Sequence, residues 1–151
     1  MTVITSSFDI LVVGAGHAGV EASVAAARMG CTVGLITMEA AAIGRLSCNP
    51  AIGGTAKGHL VREIDALGGA MGLLADASAI QYKMLNRSKG PAVWSPRSQN
   101  DRELYSEAAR RLVETTPGLT IIEDSVCDIM VEEERICGVV AAVNGAIACS
   151  S

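Results

Sequence analysis

The chain opens on a short apolar run, residues 8–13 (FDILVV), which stops at glycine. A continuous apolar run of that length, closed by a turn signal, predicts a strand buried on both faces of a parallel sheet. GAGHAG follows at 14–19, then an alanine-rich stretch over 20–29 with Glu21 near its start and Arg28 near its end. That charge order suits a helix dipole, and Gly30 suits the position just past a helix end. Residues 32–37 (TVGLIT) predict a second strand. The first 37 residues thus read strand, glycine turn, helix, strand.

The middle of the chain is less periodic. Residues 40–58 combine small side chains, one proline and four glycines, and predict a loop. A short helix is expected over 59–67, closed by Gly68 and Gly69, with further helix within 70–86. Residues 87–100 (RSKGPAVWSPRSQN) carry two prolines and predict a second loop. Residues 101–115 predict an amphipathic helix with Leu104, Ala108, Leu112 and Val113 inward and Asn100 as its N-cap. Strands are expected at 119–122, 126–131 and 136–143. An acidic turn at Glu132, Glu133 and Glu134 separates the last two, and Asn144-Gly145 gives a hairpin signal. Residues 146–151 predict the opening of another strand. The fold class is therefore α/β: a Rossmann-like dinucleotide-binding domain with a parallel sheet, helices and an antiparallel β-meander.

Composition narrows the choice. Half of the 151 residues are apolar and 19% are charged, which suits a packed core rather than a disordered chain. No run approaches the ~18 consecutive apolar residues that a membrane-spanning helix needs. Residues 1–7 carry neither a basic stretch nor a long apolar one, so no secretory signal is expected. The five cysteines, at 31, 48, 127, 137 and 149, form no CxxC pair. That argues against a disulfide framework or a zinc site and predicts a reduced, cytoplasmic chain with no metal. Cys31, Cys127, Cys137 and Cys149 are assigned to packing. The net charge of −4 makes the chain as a whole a poor nucleic-acid binder by bulk field.

The glycine turn carries the first chemistry. A GxGxxG sequence is informative only where it closes a strand and opens a helix inside a βαβ unit of about 30 residues, as it does here. Gly14 permits the tight turn, Gly16 lets a pyrophosphate approach the backbone, and Gly19 lets helix and strand pack closely. Ala15, Ala18 and His17 complete the loop; His17 is either a ligand contact or a spacer. The helix N-terminus supplies amide donors and a partial positive charge. The acid that usually binds a ribose hydroxyl would fall near Thr37, which is neutral; a hydroxyl hydrogen bond is the alternative.

Charge and cysteine patterns supply the remaining candidates. Residues 83–111 hold seven basic and three acidic side chains, a +4 segment inside a −4 chain. Lys89, Arg97 and Arg102 are candidates for phosphate or cofactor contact, with a solvated face as the alternative. Lys57, in the glycine-rich loop, faces a cofactor or else solvent. Cys48, in SCNPAIGG, has Gly53 where a resolving cysteine five residues on would complete a dithiol relay. One cysteine in a flexible loop remains, either a nucleophile near a flavin or a small buried side chain.

GAGHAGVEASVAAARMG, GRLSCNPAIGGTAKGHLVREIDALGG, LNRSKGPAV and RSQNDRELY together resemble the N-terminal part of the MnmG/GidA family, over about residues 8–143. The resemblance implies FAD, with its pyrophosphate at Gly14–Gly19 and an adenine contact near Val126. It implies a flavoenzyme that works with an MnmE-like GTPase on the wobble uridine of tRNA and adds a carboxymethylaminomethyl-type group at C5. Methylenetetrahydrofolate would supply carbon and NADH would reduce the flavin. Cys48 matches a cysteine used in catalysis, attacking uridine C6 or moving a proton nearby. A homodimer is implied, and no membrane. Trp94 and Ser95 depart from the arginine and small residue found in many relatives, so no anion contact is expected there. The family is roughly four times longer. The chain therefore reads as the N-terminal part of an FAD-binding domain, with later domains absent and the strand that completes the sheet beside the first one missing. On that reading it binds FAD weakly or not at all. Two other readings stand beside it: a nucleotide-binding remnant without catalysis, and a small stand-alone flavoprotein oxidoreductase.

Overall fold

The computed structural model describes residues 4–47 and 49–150. Two compact units emerge, one from residues 1–43 with 110–151, the other from residues 44–109.

The first unit opens with β1 (Ile4–Phe8) and β2 (Ile10–Val13). The single strand expected over 8–13 is thus divided at Asp9. The cause is local: Asp9 Oδ2 accepts hydrogen bonds from Thr32 N and Thr32 Oγ1, both at 2.7 Å. The Asp9 and Ile10 amides both turn to the Thr32 carbonyl, at 3.0 and 3.2 Å. After the glycine turn comes α1 (His17–Arg28), three residues longer at its start than expected, then β3 (Val33–Thr37). β2, β3 and β7 (Leu119–Glu123) form a parallel sheet in the order β2-β3-β7. β3 lies between its neighbours, and Val33, Leu35 and Ile36 are fully buried, as a central parallel strand requires.

The meander follows as β8 (Val126–Glu132), β9 (Arg135–Ala141) and β10 (Gly145–Cys149), antiparallel in sequence order. The acidic turn between β8 and β9 holds Glu133 and Glu134 at φ 48° and 62°. Positive φ at both central positions matches the twist of a two-residue hairpin, although glycine is absent. β10 pairs in parallel with β1, Ser6 opposite Ile147 and Phe8 opposite Cys149. The expected lack of a neighbour for the first strand is thereby corrected for its N-terminal half. β2 has β3 as its hydrogen-bonded neighbour among the described residues. One core serves both sheets: Ile36, Val139, Ala141 and Ile147 are buried together, with Phe8, Leu11, Ile122 and Val126 packed on them. Of the cysteines assigned to packing, Cys31, Cys137 and Cys149 are half-buried, but Cys127 is exposed on β8.

In residues 44–109 the expected loops contain strands. β4 (Ala51–Gly53), β5 (Ala79–Leu85) and β6 (Ser95–Asn100) form an antiparallel sheet in the order β4-β6-β5, beside α2 (Lys57–Ala66) and α3 (Met71–Ser78). β6 has no apolar alternation because its inward positions, Ser95, Ser98 and Asn100, are polar and buried. Their groups are satisfied internally. Asn100 Nδ2 donates to Ala75 O at 2.6 Å and to Ser78 Oγ at 3.0 Å, and Ser98 Oγ donates to Asn100 Oδ1 at 2.9 Å.

α4 (Arg102–Thr115) buries Tyr105, Ala109 and Val113, spaced by four, and leaves Leu104 exposed. Its cap is Asp101, not Asn100: Asp101 Oδ1 accepts from the amides of Glu103 and Leu104, both at 2.9 Å. Replacing Asp101 with alanine is expected to cost about 1 kcal/mol, as for other N-caps. Replacing Asn100 is expected to cost more, about 2–3 kcal/mol, because buried partners lose their bonds. Urea unfolding of the two variants measures this order, and the reverse order would restore Asn100 as the cap.

Candidate functional site

The glycine turn is built from two close constraints. Gly14 sits at φ 97°, a conformation that side chains rarely adopt, and its amide donates to Ile36 O at 2.8 Å. A Cβ on Gly19 would lie 1.8 Å from the Gly14 carbonyl oxygen. Only glycine lets α1 settle onto the turn at that point. Gly16 differs: a Cβ there would meet nothing within 4 Å. Its freedom from a side chain serves the space outside the loop, not the packing within it. Gly16 is also the N-cap of α1 and offers no side-chain acceptor to the first-turn amides.

That space is a groove of roughly 370 Å³. Gly14, Ala15 and Gly16 form one wall, Thr37 and Met38 the end of β3, and Ser125 and Val126 the start of β8. The structure thus brings together five of the eight residues expected at a dinucleotide: Gly14, Ala15, Gly16, Thr37 and Val126. His17, Ala18 and Gly19 belong to the first turn of α1 and do not line the groove. Thr37 takes the place of the usual acid, and its hydroxyl lies 3.4 Å from Glu39 O. Glu123, at the end of β7, accepts from the Ala40 amide at 3.1 Å. An adenosine diphosphate moiety fits this donor set: backbone amides and a helix N-terminus for phosphate, a hydroxyl at the strand end, and an aliphatic wall at Val126.

Sequence reasoning missed Asp124, which also lines the groove and is 6% exposed. Its carboxylate accepts from the Asn144 amide and the Asn144 side-chain amide, both at 2.8 Å, from Ser125 N at 2.7 Å, and from Val143 N at 3.1 Å. Its own amide donates to Thr37 O at 2.9 Å. One residue thereby ties the end of β3 through its amide, and the β7–β8 corner and the β9–β10 turn through its carboxylate. The Asn144-Gly145 turn signal marked one end of this arrangement; nothing local marked the other.

The remaining candidates lie in residues 44–109. Lys57 opens α2, exposed, with Nζ donating to Ala51 O at 3.3 Å. Lys89 is exposed in a 3₁₀ turn over Arg87–Lys89, and Arg102 is exposed at the start of α4. Arg97, on β6, is half-buried and lines a separate cavity. Trp94 Nε1 donates to Arg87 O at 3.3 Å, and Ser95 is buried. Cys48 lies outside the described residues.

Asp124 gives a pH prediction. Donors from Asn144, above all its backbone amide, hold the carboxyl down from its ordinary 3.8 to about 2. The folded-state value is below the unfolded one, so its stabilisation is complete above about pH 4 and is lost as pH falls toward 2. Asp9, also lowered by the Thr32 hydroxyl, titrates in the same direction. Asp124→Asn is expected to destabilise the protein at pH 7 and to flatten, not abolish, the stability loss between pH 4 and 2. Thermal melts across that range measure both, and a variant as pH-sensitive as the parent would contradict the assignment.

Residues 9–151 match the family model described as glucose inhibited division protein A. The tRNA uridine 5-carboxymethylaminomethyl modification enzyme MnmG of Parabacteroides distasonis is 53% identical over 140 residues, 93% of this chain and 22% of that protein. The enzyme of the same name from Granulibacter bethesdensis is 59% identical over 125 residues, 83% of this chain and 20% of that protein. Aquifex aeolicus GidA superposes with a TM-score of 0.94 at 46% identity, covering 97% of this chain and 24% of that one. The Pseudomonas aeruginosa protein pqsL, a probable FAD-dependent monooxygenase, shares the fold at a TM-score of 0.63 and 12% identity. The chain spans about a fifth to a quarter of the length of the MnmG and GidA proteins it matches. On the match over residues 9–151, this chain belongs to the glucose inhibited division protein A family.

Proposed function

We propose that the groove at Gly14–Gly16, Thr37 and Val126 binds the adenosine diphosphate half of FAD. The observation that carries this reading is the open backbone at Gly16 beside an uncapped helix start, in a chain of this family. The α1 amides hold the pyrophosphate, Thr37 hydrogen-bonds ribose, and Val126 packs on adenine. The flavin, when bound, supplies hydride transfer.

The full activity proposed is addition of a carboxymethylaminomethyl-type group to C5 of the wobble uridine of tRNA. It takes place in the cytoplasm, with methylenetetrahydrofolate as carbon donor, NADH as reductant, an MnmE-like GTPase as partner and a homodimer as the working form. Cys48 is the proposed nucleophile. Its thiolate adds to uridine C6, and the C5–C6 electron pair moves onto C5 and the adjoining carbonyl, which makes C5 nucleophilic. Lys57, Lys89 and Arg102 are proposed phosphate contacts for tRNA or cofactor, as exposed cationic residues. The chain by itself supplies the dinucleotide end of this machinery.

A fluorescence titration with FAD registers weak as well as tight binding. Saturable binding is expected, weakened at least about tenfold by Gly16→Ala, with the melting temperature unchanged, because the added methyl enters the groove and not the fold. Gly19→Ala, by contrast, is expected to cost about 1–3 kcal/mol or more of stability. Equal FAD affinity in the parent and Gly16→Ala would overturn the reading.

A further inference from the structure

Residues 44–109 hold a second concavity, of roughly 290 Å³, which shares no lining residue with the nucleotide groove. α2 turns one face toward it: Gly58, Val61, Arg62 and Asp65, at spacings of three and four. Gly58 is glycine for a reason of packing, since a Cβ there would come to 2.8 Å of Pro96 O on β6. The close approach of α2 and β6 places Arg62 and Arg97 on walls of one cavity.

The walls combine apolar surface with charge. Ile52, Val61 and Pro96 are apolar. Asp76 accepts a hydrogen bond from Tyr82 Oη at 2.8 Å and is thereby engaged. Neither Arg62 nor Arg97 forms a salt bridge or side-chain hydrogen bond among the described residues. Two arginines lining one concavity, Arg62 exposed and Arg97 half-buried, neither paired with a carboxylate, offer planar forks for an anion. Asp65 and Asp76, on the same lining, both keep their negative charge, repel a second one on the ligand and so favour a monoanion over a phosphate dianion. The volume admits one ring or a short chain.

We infer that this cavity binds a small organic monocarboxylate, its carboxylate held by Arg62 and Arg97 and its apolar body set against Ile52, Val61 and Pro96. The site is assembled from α2, α3 and the β4-β6-β5 sheet alone.

Calorimetric titration of the full chain with benzoate, benzamide and inorganic phosphate tests it. Benzoate is expected to bind at one site below about 10 mM, the scale set by its few heavy atoms. Arg62→Gln and Arg97→Gln are each expected to weaken it at least about tenfold, the loss of one charge-assisted contact, with unchanged melting temperature. Asp65→Asn is expected to tighten it, and added KCl to weaken it; the salt series on the parent decides the matter if a variant fails to fold. Benzamide binding as well as benzoate, salt-insensitive binding, or no saturable binding would overturn the proposal. Phosphate binding more tightly than benzoate would overturn the carboxylate assignment.

Discussion

A single carbonyl oxygen governs the first unit. Gly14 O stands so close to the backbone of residue 19 that no Cβ fits between them. The contact seats α1 on the turn that leaves β2. The same turn is pinned to β3 through Gly14 N and Ile36 O, and the β2–β3 register places Val12 beside Leu35 and Val13 beside Ile36. Three positions, the strand end, the turn and the helix start, are therefore fixed together. On the proposed function, the first-turn amides of α1, which receive no side-chain cap from Gly16, are the groups that would hold phosphate. Binding geometry and packing geometry share the same glycines, with the division of labour falling between Gly19 and Gly16.

The far wall of the groove depends on a different device. Val126 is packed on the core formed by Ile36, Val139, Ala141 and Ile147, while Asp124 locks the corner before it. The antiparallel meander therefore has a positional role: its turn at Asn144 supplies the donors that hold Asp124, and Asp124 holds the backbone from which Val126 projects. A saturated carboxylate of this kind cannot act as a ribose acceptor, which leaves Thr37 as the polar group at the strand end.

Much of this was legible in the chain. The strand, glycine turn, helix and strand at the start could be read because period and turn chemistry agree there. The Asn144-Gly145 turn and the three meander strands were legible for the same reason. β6 was not: SPRSQN has neither alternation nor β-branched residues, and it forms a strand between β4 and β5 with Ser98 bonded to Asn100 and Asn100 bonded to α3. The cap of α4 was misplaced by one residue because Asn and Asp are equally good caps. The buried network claims Asn100 and leaves Asp101 for the helix. Nothing in the local sequence singles out Asp124, since its Val143 and Asn144 partners lie nineteen and twenty positions away. At the site, pattern and resemblance named Gly14, Ala15, Gly16, Thr37 and Val126, which line one groove, whereas the cavity at Arg62 and Arg97 required the helix and the sheet to be seen together.

The central claim is that the groove between the glycine turn and Val126 is a dinucleotide site. A crystal structure of the chain grown with ADP tests it most directly. Density is expected for the diphosphate at the Gly14–His17 amides and for adenine against Val126, with the ribose at Thr37. ADP seated elsewhere, with the glycine turn bare, would contradict it.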